Sequence, residues 1–404
     1  MIFYKFILKS TFIIFCITFL TYCSKKNIST NITSVSEKTV WQYSNYFNGD
    51  ALLNANKLSD NNFKIFPLGG SVTFPLISYP IIGNSFVVLM DKSGTIMKID
   101  TESKNVQWKN IPSNTKNHFF SSYLNGGLSQ NNDKVFATYG SESVLCVDLK
   151  TGKTIWEKKL NEIIRSYPVL HNGRIYLQTV NNGMYAINQK NGEVIWYKSG
   201  LIEQVNVVNV TSPIIYNKMI ISQNSSGDLT GIDIDTGFTI WDLNTSDISD
   251  IYNDTSSNII INQPILVGDD LYFYSSNKHV YKYSLKNKKL LWKSEQSISK
   301  PIYVYGKSLF AIDDFDNLIA LNTSTGSKIW TLNINQYLDK KYKGQSIYWN
   351  YPTVINKEIY ILSNKGNLYK FSLDGKFIKK ENISVGNFLP IIYANDNAFV
   401  ISRK

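Results

Sequence analysis

Residues 317–330 read NLIALNTSTGSKIW, and how this phrase is parsed decides the fold. Leu318, Ile319, Ala320 and Leu321 form an apolar run of strand length. Thr323-Ser324-Thr325-Gly326 is a polar turn, and Lys328-Ile329-Trp330 starts a second strand that ends in an indole. Two short strand-like runs joined by a Gly-containing turn mark a β-hairpin. The same frame recurs without a gap at residues 95–108 (TIMKIDTESKNVQW), 143–156 (SVLCVDLKTGKTIW), 183–196 (GMYAINQKNGEVIW), 228–241 (DLTGIDIDTGFTIW) and 279–292 (HVYKYSLKNKKLLW). A further copy at residues 367–380 (NLYKFSLDGKFIKK) has lost the Trp, and Lys379 or Lys380 stands there instead. Self-similarity at a period of about 40–50 residues marks an array of like units.

A second mark runs in step with the first. An apolar strand entered through Pro occurs at Pro80, Pro168, Pro213, Pro264, Pro301, Pro352 and Pro390. Pro suits a strand's first residue, where its missing N–H removes no ladder bond. The interval from Pro80 to Pro168 is twice the others, and the absent member belongs near Leu128, after Gly126-Gly127. Each mark is followed by a second strand, from residues 85–90 in the first unit to 397–402 in the last. Each unit is therefore a meander of strands a, b, c and d. Eight a–b pairs precede only seven c–d phrases, while residues 39–43 (TVWQY) form an orphan d-like strand around Trp41. Pairing an N-terminal strand into the last unit removes the open edges of the array. The expected fold is all-β: an eight-bladed β-propeller of four-stranded antiparallel blades, closed by an N-terminal strand. Strand c of the last blade is expected from residues 64–66 or 72–74.

Within the phrase, Gly152, Gly192, Gly237 and Gly326 sit where a tight hairpin needs φ > 0. Lys104 and Lys288 hold that slot in two copies, with Asn105 and Asn287 beside them as alternative left-handed positions. The tryptophans, Trp41, Trp108, Trp156, Trp196, Trp241, Trp292 and Trp330, are assigned to docking one blade on the next, because a buried Trp removes about 150–250 Å² from water.

The first 22 residues read as a signal peptide: Lys5 and Lys9, then an apolar run at residues 11–20. That run is too short to span about 30 Å of hydrocarbon. Leu20-Thr21-Tyr22-Cys23 resembles a lipobox, with Cys23 as the lipidated residue and Tyr22 departing from the usual small residue. Residues 23–38 are Ser-, Thr- and Asn-rich and read as a flexible tether. Residues 39–404 form the propeller. Cys16 would leave with the signal and Cys23 would carry lipid, so Cys146 remains as a small buried hydrophobe. The net charge of +11 is spread singly over turns, with no basic run and no stacking platform, so nucleic-acid binding is not expected.

Motif chemistry is sparse. The three histidines, His118, His171 and His279, fall in different repeats. Gly152-Lys153-Thr154 ends like a phosphate loop, yet Val147 stands where its first Gly belongs. Asp233, Asp235 and Gly237 resemble part of a calcium loop without its closing Glu. The cluster Asp313-Asp314-Phe315-Asp316 is expected in a b–c turn, solvated. No catalytic residue, metal site or cofactor is assigned.

The frame A-x-(D/N)-x-x-T-G-x-x-x-W, best matched at residues 186–196 and 320–330, resembles the tryptophan-docking repeat of the pyrroloquinoline-quinone-like propellers. Two branches compete. Quinoprotein dehydrogenases hold quinone and calcium in a central funnel, often beside an adjacent Cys pair, which this chain lacks. The other branch, the BamB family of outer-membrane assembly lipoproteins, is similar in length, lipoprotein start and blade number. That resemblance implies a non-enzymatic scaffold, lipid-anchored at the periplasmic face of the outer membrane. Its implied partners are a BamA-like barrel subunit, other assembly-machine subunits and unfolded barrel precursors. The family's contact loop maps onto residues 205–208, making Val205, Val207 and Val208 the implied partner-binding residues. The family's Arg is missing there, and its acidic pair is replaced near Ile259 and Ile261. A propeller binding another envelope partner is the third reading.

Overall fold

The computed structural model describes residues 57–58, 63–65, 80–91, 93–103, 105–113, 126–200, 211–244, 263–276, 278–298, 300–383, 392–394 and 397–400 of the chain. Seven four-stranded antiparallel sheets follow one another as consecutive meanders. Blade 1 runs from strand Ile81–Ile82 to Val106–Asn110, blade 2 from Gly127–Asn131 to Thr154–Lys159, and blade 3 from Val169–His171 to Val194–Lys198. Blade 4 runs from Ile214–Tyr216 to Thr239–Leu243, and blade 5 from Ile265–Val267 to Lys289–Lys293. Blade 6 runs from Tyr303–Tyr305 to Lys328–Asn333, and blade 7 from Thr353–Ile355 to Phe377–Asn382. These are the blades of a β-propeller.

The eighth sheet joins both ends of the chain, in the order Lys57–Leu58, Phe63–Ile65, Asn397–Val400, Ile392–Ala394. Phe63–Ile65 takes the third position and Lys57–Leu58 the fourth. Two expectations change here. The fourth position, expected of the Trp41 strand, is held by Lys57–Leu58, while Phe63–Ile65 holds the third, at one of the two stretches expected for strand c. The Trp41 segment and residues 72–74 lie outside the described residues. The blade is also not wholly antiparallel, because Phe63 pairs with Ala398 and Ile65 with Val400 in parallel register. No hairpin links these strands, so nothing imposes the antiparallel direction that a tight turn would.

The strands differ by depth. Every b strand of blades 1 to 7 has one half-exposed residue followed by four buried ones, as in Phe86–Met90 (FVVLM) and Asp270–Tyr274 (DLYFY). A strand covered on both faces reads as a continuous apolar run rather than an alternation. The d strands are more exposed; Val106–Asn110 and Thr239–Leu243 bury only the Trp and the residue two beyond it. Near Leu128 the Pro mark is replaced for a steric reason: a Cβ on Gly126 would stand 2.1 Å from the Thr138 carbonyl oxygen, and one on Gly127 would stand 2.2 Å from Tyr167 Cβ.

The repeated phrase forms a joint between blades. In each c–d pair the register slips by one near the Trp, as between Ala320↔Trp330 and Leu321↔Lys328. Such a bulge re-aims a side chain. The indole then lies on the turn glycine of the following blade, Trp108 on Gly152, Trp156 on Gly192, Trp196 on Gly237, Trp292 on Gly326 and Trp330 on Gly375. Its Nε1 donates to a carbonyl of that same turn: Trp108 to Leu149 at 2.9 Å, Trp292 to Thr323 at 3.0 Å, Trp330 to Leu373 at 3.1 Å. In four blades the ring also meets an aromatic side chain of its own b strand, Phe136, Tyr176, Tyr272 or Phe310, with centroids 6.0–6.1 Å apart. Lys288 itself takes the left-handed conformation, with φ of 52°, so Asn287 does not serve as the alternative, and Lys104 lies outside the described residues. Lys379 stands opposite Lys370 and is the residue in the seventh Trp position.

In blades 1 to 7, wound alike, the a–b and c–d turns share one face of the ring. The b–c turns and the d–a connections share the other.

Candidate functional site

The face of b–c turns and d–a connections carries a buried polar seam across blades 2 to 5. Thr138 Oγ1 donates to the Ser166 carbonyl at 2.6 Å, and Ser166 Oγ accepts from the Gln178 amide at 2.8 Å. The Gln178 side-chain amide donates to the Gln223 carbonyl in blade 4. Tyr167 N–H donates to Ser212 Oγ at 3.1 Å. Ser212 and Gln263 then bond reciprocally: the Ser212 N–H donates to Gln263 Oε1 at 2.6 Å, and Gln263 Nε2 donates to the Ser212 carbonyl at 2.8 Å. Nearer the surface, Asn182 and Ser225 form a second reciprocal pair between neighbouring b–c turns, both bonds 2.9 Å. Buried side-chain amides spent on neighbouring backbone fix the relative height of adjacent blades. Burial pushes the Tyr167 phenol up to about 12, so it is neutral and part of this packing.

Two connections leave this seam, residues 201–210 and 245–262. Both lie outside the described residues, and with them Val205, Val207, Val208, Ile259 and Ile261. Their stems are tightly held. Gly200 lies so close to the blade 3 b–c turn that a Cβ would stand 2.0 Å from the Asn181 carbonyl oxygen. Thr211 and Ser212 are buried. The seam was not legible in the sequence, because single Gln and Ser residues at strand ends carry no motif. Cys23, Trp41 and His118 also lie outside the described residues.

The chemistry-bearing residues that are described serve the framework. Among the described residues no group of three or more His, Cys, Asp or Glu side chains could hold a metal ion. His279 Nδ1 lies 2.8 Å from the Ser294 carbonyl. Cys146 is buried, and desolvation pushes its thiol up to about 12. Asp233 accepts from Thr236 N and Oγ1, and Asp235 pairs with Arg174 at 2.8 Å, so the calcium-like loop is turn chemistry. The acidic b–c turn of blade 6 is solvated only in part: Asp314 and Phe315 are exposed, but Asp313 is buried and accepts from the Phe315 and Asn317 amides, while Asp314 pairs with Lys278 and Asp316 with Lys300. A turn that packs on blade 5 finds lysines there to neutralise it. A shallow groove of about 490 Å³ on the opposite face, lined by Asn131, Asp133, Lys134, Asn188 and Lys190, has its amides engaged internally: Asn131 Nδ2 donates to Gln189 Oε1 at 2.8 Å.

Comparison with known proteins supplies the rest. Residues 92–332 match the family described as outer membrane protein assembly factor BamB. An uncharacterized protein of Rickettsia prowazekii is 25% identical over 338 residues, covering 79% of this chain and 80% of that protein. The outer membrane protein assembly factor BamB of Yersinia pestis is 20% identical over 323 residues, covering 79% of this chain and 80% of its own. Among solved structures, BamB from Moraxella catarrhalis superposes with a TM-score of 0.62 at 14% identity, covering 82% of this chain and 98% of that one. A europium-containing methanol dehydrogenase gives 0.57 at 12% identity, covering 80% of each chain. At such identities the structural likeness is one of fold.

Proposed function

Because the chain belongs to the family of outer membrane protein assembly factor BamB, we propose that it is a non-enzymatic scaffold subunit of an outer-membrane β-barrel assembly machine. In this reading it docks on the periplasmic domains of a BamA-like barrel subunit, alongside other assembly-machine subunits, and aids insertion of barrel precursors. The observation that carries the reading is the rim of blades 3 to 5. Its buried amide seam holds the stems of residues 201–210 rigidly. A connection mounted on a fixed base suits recognition, since binding then orders less chain. Val205, Val207 and Val208 are the proposed apolar contacts. Burying their apolar surface on docking would favour association.

The anchoring reading goes with it. We assign residues 1–22 to a lipoprotein signal, Cys23 to lipidation and residues 23–38 to a tether, with residues 39–404 as the propeller held at the periplasmic face. Mass spectrometry of the mature N-terminus is expected to find a lipid-modified Cys23. An unmodified terminus, or cleavage elsewhere, removes the anchor.

A photo-crosslinking residue at Val207 in intact membranes tests the docking. Recovery of a large outer-membrane barrel protein is expected. Recovery of envelope proteins with no assembly-machine subunit among them overturns the scaffold reading. A quinone-dependent dehydrogenase is the competing class on the same fold. Purified protein given pyrroloquinoline quinone and calcium is expected to show no dye reduction, and reduction would turn the assignment to that class.

A further inference from the structure

The connection from blade 6 to blade 7 carries a surface of a different kind. Its two ends are sunk in the core. Ile334 is fully buried, and the Ile334 N–H donates to the Asp316 carbonyl at 2.9 Å. Tyr337 stacks on Phe377 with centroids 4.2 Å apart and planes 10° from parallel, and Asp339 pairs with Lys380. At the far end Trp349 is buried edge-on to Tyr369 at 5.2 Å. Between these anchors the chain is held by its own turns: Tyr342 N–H donates to the Asp339 carbonyl at 2.9 Å, and Gln345 Nε2 donates to the Lys341 carbonyl at 2.9 Å. Tyr348 is locked to the blade 7 b–c turn by two bonds with Asn364, of 2.9 and 3.1 Å.

This braced segment presents lysines and aromatic rings together. Lys340, Lys341 and Lys343 are exposed. The Lys341 and Lys365 ammonium groups lie 4.8 and 5.8 Å from the centre of the same Tyr342 ring. Tyr348 is 73% exposed, and Phe315, on the b–c turn bonded to the start of the segment through Asn333, is 74% exposed. The carboxylates close by are already used: Asp339 by Lys380, Asp314 by Lys278 and Asp316 by Lys300. The lysines are left as net positive charge around two protruding rings.

We propose that this segment is a docking surface for an anionic phospholipid bilayer. Charge complementarity selects an anionic occupant. The side-chain types select a diffuse one. Lysine is a hydrated point charge on a flexible stem, which suits a layer of mobile anionic headgroups. Aromatic side chains flanked by lysines settle at the headgroup level of a bilayer, where the rings bury and the cations stay wet. The assignment is independent of the scaffold reading, since it rests on blades 6 and 7 rather than on residues 201–210.

Vesicle flotation tests it. The probe is the mature chain with Cys23→Ser, so that no acyl chain contributes, mixed with vesicles of phosphatidylcholine containing phosphatidylglycerol or of phosphatidylcholine alone. Salt-sensitive binding to the anionic vesicles only is expected. Lys340→Gln, Lys341→Gln and Lys343→Gln together should weaken it by about 100-fold, at roughly fivefold per lysine. The control removes equal charge from the opposite face through Lys286→Gln, Lys288→Gln and Lys289→Gln, and should change binding by less than about twofold if the effect is local. Phe315→Ser with Tyr348→Ser should remove the part that survives high salt. All these positions are exposed, and thermal melts of each variant check that the fold is kept. Absence of binding to anionic vesicles, as expected if the segment instead meets an acidic protein, overturns the proposal. So does an equal loss in the control variant, or equal binding to both kinds of vesicle.

Discussion

At the scale of single residues, the turn glycines are constrained twice. Gly326 has φ of 73°, and an added Cβ would come within 2.6 Å of the Trp292 ring. Gly326→Ala is therefore expected to cost about 2–4 kcal/mol, combining a left-handed side chain with overpacking of the joint. A urea titration checks this through its midpoint at unchanged slope. Lys288 shows the converse. It holds the same slot with a Cβ, and Lys288→Gly should gain about 0.5–1 kcal/mol by relieving the left-handed strain, less the entropy that Gly adds to the unfolded chain. Cys146 offers a pH test. Burial raises its thiol to about 12, so the folded state holds that proton more tightly than the unfolded chain does. Its contribution is complete below the ordinary thiol range and is lost as pH climbs toward about 12. Alkylation in mildly alkaline buffer should wait on global unfolding, and rapid labelling of the native protein would contradict the burial.

At the scale of elements, the Trp–Gly joint carries the seam between blades. Trp330→Ala removes a ring that rests on Gly375, bonds the Leu373 carbonyl and meets Phe310. The expected cost is about 3–5 kcal/mol, read from a thermal or urea melt. A melt unchanged from the parent would refute the joint. Much of this level was legible in the sequence, because strand period, turn glycine and Trp spacing are all local. Even the absent Pro near Leu128 was locatable by counting, although its cause, the crowding by Tyr167 and Thr138, is tertiary. Other features were illegible for the same reason. Residues 64–66 are one of two candidates in the sequence for the third strand of the eighth sheet, but the parallel direction of Phe63–Ile65 and the fourth place of Lys57–Leu58 depend on partners that nothing in their own composition announces. The pairing of Asp314 and Asp316 with lysines of other turns likewise depends on how blades meet. The amide seam of blades 2 to 5 consists of unremarkable residue types at strand ends.

At the scale of the whole molecule, ring closure rests on the eighth sheet. Deleting the chain through Ile65 should leave that sheet with only its two C-terminal strands and expose an unpaired edge. The truncated protein is expected to melt earlier and to associate as concentration rises, measured by light scattering on a sizing column. If the truncated protein behaves like the parent, the N-terminal strands do not close the ring. Buried apolar residues of blade 1, among them Val87, Leu89, Met97 and Ile99, belong to the same core cluster as those of blades 6 and 7. Blades 1, 6 and 7 therefore share their stability, and opening the ring should weaken all three.

The parallel pairing of Phe63 with Ala398 also sets an order of events. A ribosome or an export channel delivers the chain from its beginning, so the strand at residues 63–65 emerges before any of the seven complete blades, yet its partner arrives after all of them. Neighbouring hairpins can form as they appear, because their contacts are local. The clasp must wait, and it bears the loop-closure entropy of nearly the entire chain. During that interval the nascent protein is a stack of blades with a loose first strand and two raw edges, the state most open to capture by chaperones or to misjoining with another copy.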